Sequence, residues 1–234
     1  MDRRRFVKFC AGTALTAGLA EVPRVFASQI ADFAPAALLK EDGSPLKASE
    51  IGAAEAMVFA YPYKGVPCFL INLGDKAPRT QPLISPDGDA YTNPQGVGRR
   101  RNLVAFVAIC THQLSYPSPQ SSVLRYAAAG SELAGDPGRI VCCAHGSVYD
   151  PADGARKVSG PAPGPLLPVR LAYDPASDGL TATGSVDEKF FRRFFDAYKS
   201  EMIERFGPGV YRQEVGPTTR AVLLSRYSRL VAAC

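Results

Sequence analysis

Short apolar runs punctuate the middle of the chain at residues 56–61, 68–73, 103–109, 139–142, 169–173 and 180–183. Each is rich in β-branched or aromatic side chains and bounded by Gly, Pro or Asp, which predicts antiparallel strands. Another strand is predicted at 123–126. Beyond residue 184 the period changes. Phe190, Phe191, Phe194, Phe195, Tyr198, Met202, Ile203 and Phe206 recur at helical spacing until Gly207-Pro208, and Ser185 to Glu188 has the form of a capping box. A second helix is predicted over about 218–231, where Leu223, Leu224, Tyr227, Leu230 and Val231 are apolar and Arg220, Arg226 and Arg229 basic. The pattern therefore predicts a mostly β fold, an antiparallel β-sandwich, with a helical C-terminal extension at 185–234. The aromatic helix face must be buried, against its own domain or against another subunit. The second option makes the extension an assembly element and predicts a homo-oligomer joined through the C-terminal helices.

Two other stretches qualify this outline. Residues 75–102 form a Pro/Gly-rich excursion ending in Arg99-Arg100-Arg101, a triplet that either steers an acidic partner or sits in a solvated loop. At the N-terminus, Asp2-Arg3-Arg4-Arg5-Phe6-Val7-Lys8 and the weakly apolar residues 9–20 fit a twin-arginine export signal over 1–27, which predicts a periplasmic protein. A spanning helix needs about 20 mostly apolar residues, and Glu21 and Arg24 interrupt this one early. That favours cleavage, with a mature start near Ser28, over retention as a membrane anchor. The remaining chain reads as one domain at 28–184 followed by the tail. The formal charge of +5 includes the basic signal, so the mature part is nearer neutral. No nucleic-acid motif appears, and nucleic acid is not an expected partner.

The chemistry is concentrated in two places. The chain has only two histidines, in Cys110-Thr111-His112 and in Cys142-Cys143-Ala144-His145, the latter followed by Gly146-Ser147. Two thiolates and two imidazoles in this spacing are the ligand set of a Rieske 2Fe-2S cluster. Tyr149, Asp150 and Gly160-Pro161-Ala162-Pro163 follow in the order found in high-potential members. Over residues 100–175 the chain thus resembles the Rieske iron-sulfur family, and 61–74 is weakly similar to small subunits of arsenite oxidase.

The resemblance implies a Rieske-type β-sandwich with a small cluster-binding subdomain, here with insertions at 75–102 and 113–141. It implies that Cys110, His112, Cys142 and His145 bind the metal, that the Ser147 hydroxyl reaches a bridging sulfide, and that Tyr149 reaches the sulfur of Cys110. Residues 160–163 resemble the proline loop that covers the cluster. Exchanging two thiolates for neutral imidazoles lowers the charge opposing an added electron, and potentials rise to roughly −150 to +300 mV. The same donors would bind Zn²⁺ tetrahedrally, and spacing alone does not separate the two. A zinc ribbon, however, has no use for Ser147, Tyr149 or the proline run.

Two departures stand out. Ser115 and Ala144 occupy the places where quinol-oxidising relatives carry a disulfide between the cluster loops, so packing and hydrogen bonds alone are expected to hold them. Cys143 is expected to be a small buried side chain, with a bridge to Cys68 as the alternative. A Rieske oxygenase needs two further histidines for a mononuclear iron, and none remain. The expectation is an exported high-potential electron-transfer protein, a one-electron carrier or the small subunit of a periplasmic oxidoreductase. Its redox partner would be a c-type cytochrome, a molybdoenzyme or another oxidoreductase subunit. The alternatives are a Rieske subunit of a quinol-oxidising cytochrome bc-type complex, with quinol as partner, and a zinc-stabilised binding module.

Overall fold

A computed structural model describes residues 30–186 and 188–234; the expected export signal, its expected cleavage point and Asp187 of the expected capping box lie outside the described residues. The chain opens with β1 (Ala31–Leu39), β2 (Met57–Ala60) and β3 (Pro67–Asn72), and the 75–102 excursion folds as a hairpin of β4 (Pro82–Ile84) and β5 (Ala90–Thr92). After β6 (Leu103–Val107) come β7 (Ser121–Ser122), β8 (Leu124–Ala127), β9 (Arg139–Cys142), β10 (Ser147–Asp150) and β11 (Arg156–Ser159). The chain then returns through β12 (Pro168–Asp174) and β13 (Gly179–Ser185) to α1 (Glu188–Ala197) and α2 (Lys199–Phe206). It ends with β14 (Thr218–Arg220), β15 (Val222–Leu223), α3 (Leu224–Tyr227) and β16 (Leu230–Val231). Every strand expected from the apolar runs is formed, with ends shifted by no more than about two residues.

Eight strands form one sheet in the order β14-β1-β13-β12-β6-β3-β2-β15, and four form a smaller sheet in the order β11-β10-β9-β8. The large sheet curls until its ends nearly meet. Its two edge strands, β14 and β15, are separated in sequence by Ala221 alone, and the Thr219 hydroxyl donates to Ala60 O at 2.9 Å across the closing gap. The central strands explain why their sequences lack alternation. On β3 and β6, Cys68, Leu70, Leu103, Ala105 and Val107 face one core while Phe69, Ile71, Val104 and Phe106 face a second. Both faces are buried, so the runs are continuously apolar. The first core fills the curl of the large sheet; the second lies against the small sheet, where Leu124, Ile140, Cys142 and Tyr149 complete it.

The aromatic face of the C-terminal extension belongs to the first core. Phe190, Phe191, Phe194 and Phe195 are at most 3% exposed, and Phe195 packs edge-on against Tyr63 and Tyr211. The face is therefore covered by its own domain, the first of the two options its sequence left open. The single aromatic run makes two helices, because Tyr198 leaves the helical conformation at φ −111° and ψ 22° between them. Gly207, at φ 90°, ends α2 and donates its N–H to Ile203 O.

The second helix expected over about 218–231 does not form; only Leu224–Tyr227 is helical. In the stretch before it, Thr219 and Ala221 are buried while Thr218 and Arg220 are exposed, a two-residue period. The open edges of β1 and β2 supply partners, β14 running parallel to β1 and β15 antiparallel to β2. Pairing at two free edges outweighs the local helical pattern. Conversely β1, with Pro35 and four alanines, carries no strand signal in sequence and forms because β13 and β14 flank it. Among the described residues no helix is long and apolar enough to cross a membrane.

Candidate metal centre

The first cysteine-histidine pair lies just past the end of β6, where the chain leaves the sheet. Cys110 N donates to Ser115 O at 2.8 Å and Leu114 N to Cys110 O at 2.9 Å, closing a tight loop around His112. Leu114 adopts φ 60°, a left-handed conformation seldom taken by a branched apolar residue and held here by the loop's own bonds. The second pair occupies the turn between β9 and β10. Cys142 and Ser147 pair across the hairpin, Gly146 sits at φ 76° and donates to Cys142 O at 2.9 Å, and Cys143 N donates to Val123 O at 2.7 Å. An Arg139–Asp150 ion pair joins the two strands at the foot of this hairpin.

The two loops bring the predicted ligands together as two pairs, Cys110 with Cys142 and His112 with His145. Cys110 and Cys142 are 1% and 0% exposed, whereas His112 is half-buried and His145 exposed. The imidazole rings meet edge-on, with centroids 4.9 Å apart and planes at 87°. The sulfurs lie inward and the imidazole rings nearer the surface. Among the described residues no three His, Cys, Asp or Glu side chains group closely enough to hold a single metal ion. The donors come as two pairs, thiols with each other and imidazoles with each other. One further observation fits a ligand role: His112 Nδ1 is buried without a hydrogen-bond partner. An unsatisfied buried polar atom costs about 1–3 kcal/mol, a cost that metal ligation would remove.

The electrostatics show what the protein alone does to the sulfurs. Contact with Cys142 draws the Cys110 thiol down to about 5, helped by the Tyr149 hydroxyl and the amides of His112 and Gln113 against the opposing effect of burial. Cys142, facing that thiolate and buried, is pushed up. A metal held by both sulfurs would require both to be deprotonated. The Tyr149 hydroxyl lies 3.2 Å from Cys110 Sγ and 3.5 Å from Thr111 Oγ1. Burial first, then the Cys110 charge, pushes the phenol up, so Tyr149 stays protonated and donates to sulfur. Ser147 is fully buried, and its Oγ accepts from Ala162 N at 3.2 Å, leaving the hydroxyl proton available for another acceptor.

Residues 160–164 fasten the two loops from outside. Besides the Ala162–Ser147 bond, Thr111 Oγ1 donates to Gly164 O at 2.9 Å. Gly160, at φ 86°, lies so close to the second loop that an added Cβ would stand 2.4 Å from Gly146 O and 2.5 Å from Ser147 Cα. The 75–102 excursion supports the same corner: Gln81 Nε2 donates to Oδ1 of buried Asp153 at 2.6 Å, and Arg79 and Arg156 pair with that carboxylate. Arg100 of the basic triplet pairs with Asp75 on the exposed surface.

Three contributors were not read from the sequence. Thr111, between the two expected ligands, was assigned no role, yet it ties the first loop to the proline loop. Tyr116 was passed over, though it follows the first loop directly and packs against α1. The third is a disulfide. Cys143 bonds to Cys234, while Cys68 is a free, fully buried thiol donating to Tyr61 O at 3.0 Å. Both earlier readings of Cys143, a small unbridged side chain or a partner of Cys68, are corrected, as is the expectation that no covalent bond restrains the loops. No family model matches the sequence. The solved soluble domain of the Rieske protein II of Sulfolobus acidocaldarius is similar over 65% of this chain and 78% of that chain, at 28% identity and a TM-score of 0.48.

Proposed function

We propose that this chain is an exported, high-potential Rieske-type electron-transfer protein in which Cys110, His112, Cys142 and His145 hold a 2Fe-2S cluster. In this reading it serves as a one-electron carrier or as the small subunit of a periplasmic oxidoreductase. The observation that carries the reading is the sorting of the four donors: two buried thiols in contact, two imidazoles in contact toward the surface, and an orphaned buried nitrogen on His112.

Such a cluster, when bound, takes up and returns a single electron. The chain's own residues set how readily that happens. Tyr149 donates to Cys110 Sγ, and the free proton of Ser147 favours the electron-rich state of whatever sulfur it faces. Residues 160–164 bond to both loops, and both sulfurs are buried. The exposed ring of His145 offers a partner protein or a quinol its first contact, and the half-buried His112 the second. Oxygenase chemistry is not part of the proposal, because both histidines of the sequence are already placed at this site.

Chemical analysis tests the proposal. Purified protein is expected to contain two iron and two acid-labile sulfide per chain and to show a paramagnetic signal only after one-electron reduction. Zinc at one per chain, without sulfide, would overturn it in favour of the metal-stabilised binding module.

A further inference from the structure

Without a bond between positions 115 and 144, the two loops have no direct covalent tie, yet both are attached to the same C-terminal segment. Cys143, the neighbour of Cys142, is bonded to Cys234. The stretch before Cys234 is itself fixed. β16 runs parallel to β7, with Arg229 N donating to Pro119 O at 3.0 Å and Ala232 N to Ser122 O at 2.8 Å, and Ser228 Oγ donates to Ser118 O at 2.6 Å. On the first loop, Tyr116 packs edge-on against Phe194 and Tyr198, each at 4.9 Å between centroids, and its hydroxyl donates to Glu201 of α2.

We infer that residues 188–234 act as a brace for the metal centre, and that the Cys143–Cys234 bond is its positioning element for the second loop. This rests on the reading of the site as a cluster. The turn at 143–146 carries the exposed ligand His145, and Cys143 N and Gly146 N supply its backbone restraints. The disulfide adds a covalent stop one residue from Cys142 and two from His145. It anchors that turn to a strand pair that also holds the end of the first loop's continuation, residues 118–122. One segment thereby limits both jaws of the site.

The test compares the full chain with C234S, both carrying their clusters. Iron release to a chelator is expected to be about tenfold faster in the variant, at a temperature where circular dichroism shows both proteins folded. The paramagnetic signal of the reduced variant is expected to broaden as the imidazole positions spread. An unchanged release rate and line width would overturn the inference, even if the melting temperature fell, because the bond would then only staple the tail. The double variant C143S/C234S removes any effect of a free thiol and is expected to match C234S. Should neither fold, Tyr116→Phe tests the other arm by removing only the hydroxyl contact to Glu201; faster release supports the brace and an unchanged rate overturns it. Wild-type protein lacking iron and sulfide would refute the cluster reading itself, a result separate from either outcome in the variants.

Discussion

At Tyr149 a buried hydroxyl keeps its proton and has one to donate. Its phenol is pushed up by burial and by the neighbouring Cys110 charge, and the sulfur at 3.2 Å is the acceptor it faces. A hydrogen bond to a charged group contributes about 1.5–3 kcal/mol. Only the difference between the oxidised and reduced states moves a potential, and 1.4 kcal/mol corresponds to about 59 mV for one electron. If the proposed cluster is bound there, Tyr149→Phe is therefore expected to lower its reduction potential by about 50 mV without loss of iron. Ser147→Ala should lower it similarly, and it also strips Ala162 N of its acceptor. Titration of the reduced-state paramagnetic signal reads both; a potential that stays put in both variants removes the hydrogen-bond assignment. At this scale the sequence was most informative, because with only two histidines in the chain each cysteine-histidine pair was visible without ambiguity. Thr111 escaped notice because a side chain's donor role depends on what folds over it, and Gly164 is distant in sequence.

Among the elements, the loop over the site is the most constrained. Gly160 is needed for two reasons: its φ of 86°, which side chains disfavour, and the 2.4 Å that an added Cβ would leave to Gly146 O. Gly160→Ala must push the loop outward, at a cost of about 1–3 kcal/mol in stability. Thermal denaturation should show the loss, and solvent accessibility of the cluster, followed by paramagnetic relaxation in exchanged water, should rise with it. A variant that melts with wild-type behaviour would mean the loop is free to shift. The strands over two-faced cores were legible as unbroken apolar runs, and the aromatic period of α1 and α2 was equally plain. The stretch 218–231 was not, since its apolar and basic residues fit a helix as well as a pair of short strands. What decided it was the availability of the β1 and β2 edges, a property of the assembled sheet that no local window contains.

For the whole molecule, the orientation of the site matters most. Sulfurs point inward and His145 lies open, so an approaching partner meets an imidazole before it meets a sulfur. The pairing of Cys143 with Cys234 also belongs to this scale: spacing along a chain does not report the distance between Cα atoms, 5.7 Å here, on which a bridge depends. The strands β3 and β6 have a quieter consequence. Their side chains fill two cores at once, so they form a party wall with no outdoor side. An ordinary sheet strand keeps alternate positions at which sequence can drift without effect. Residues 67–72 and 103–107 have few such positions, and drift in this protein must find its room elsewhere.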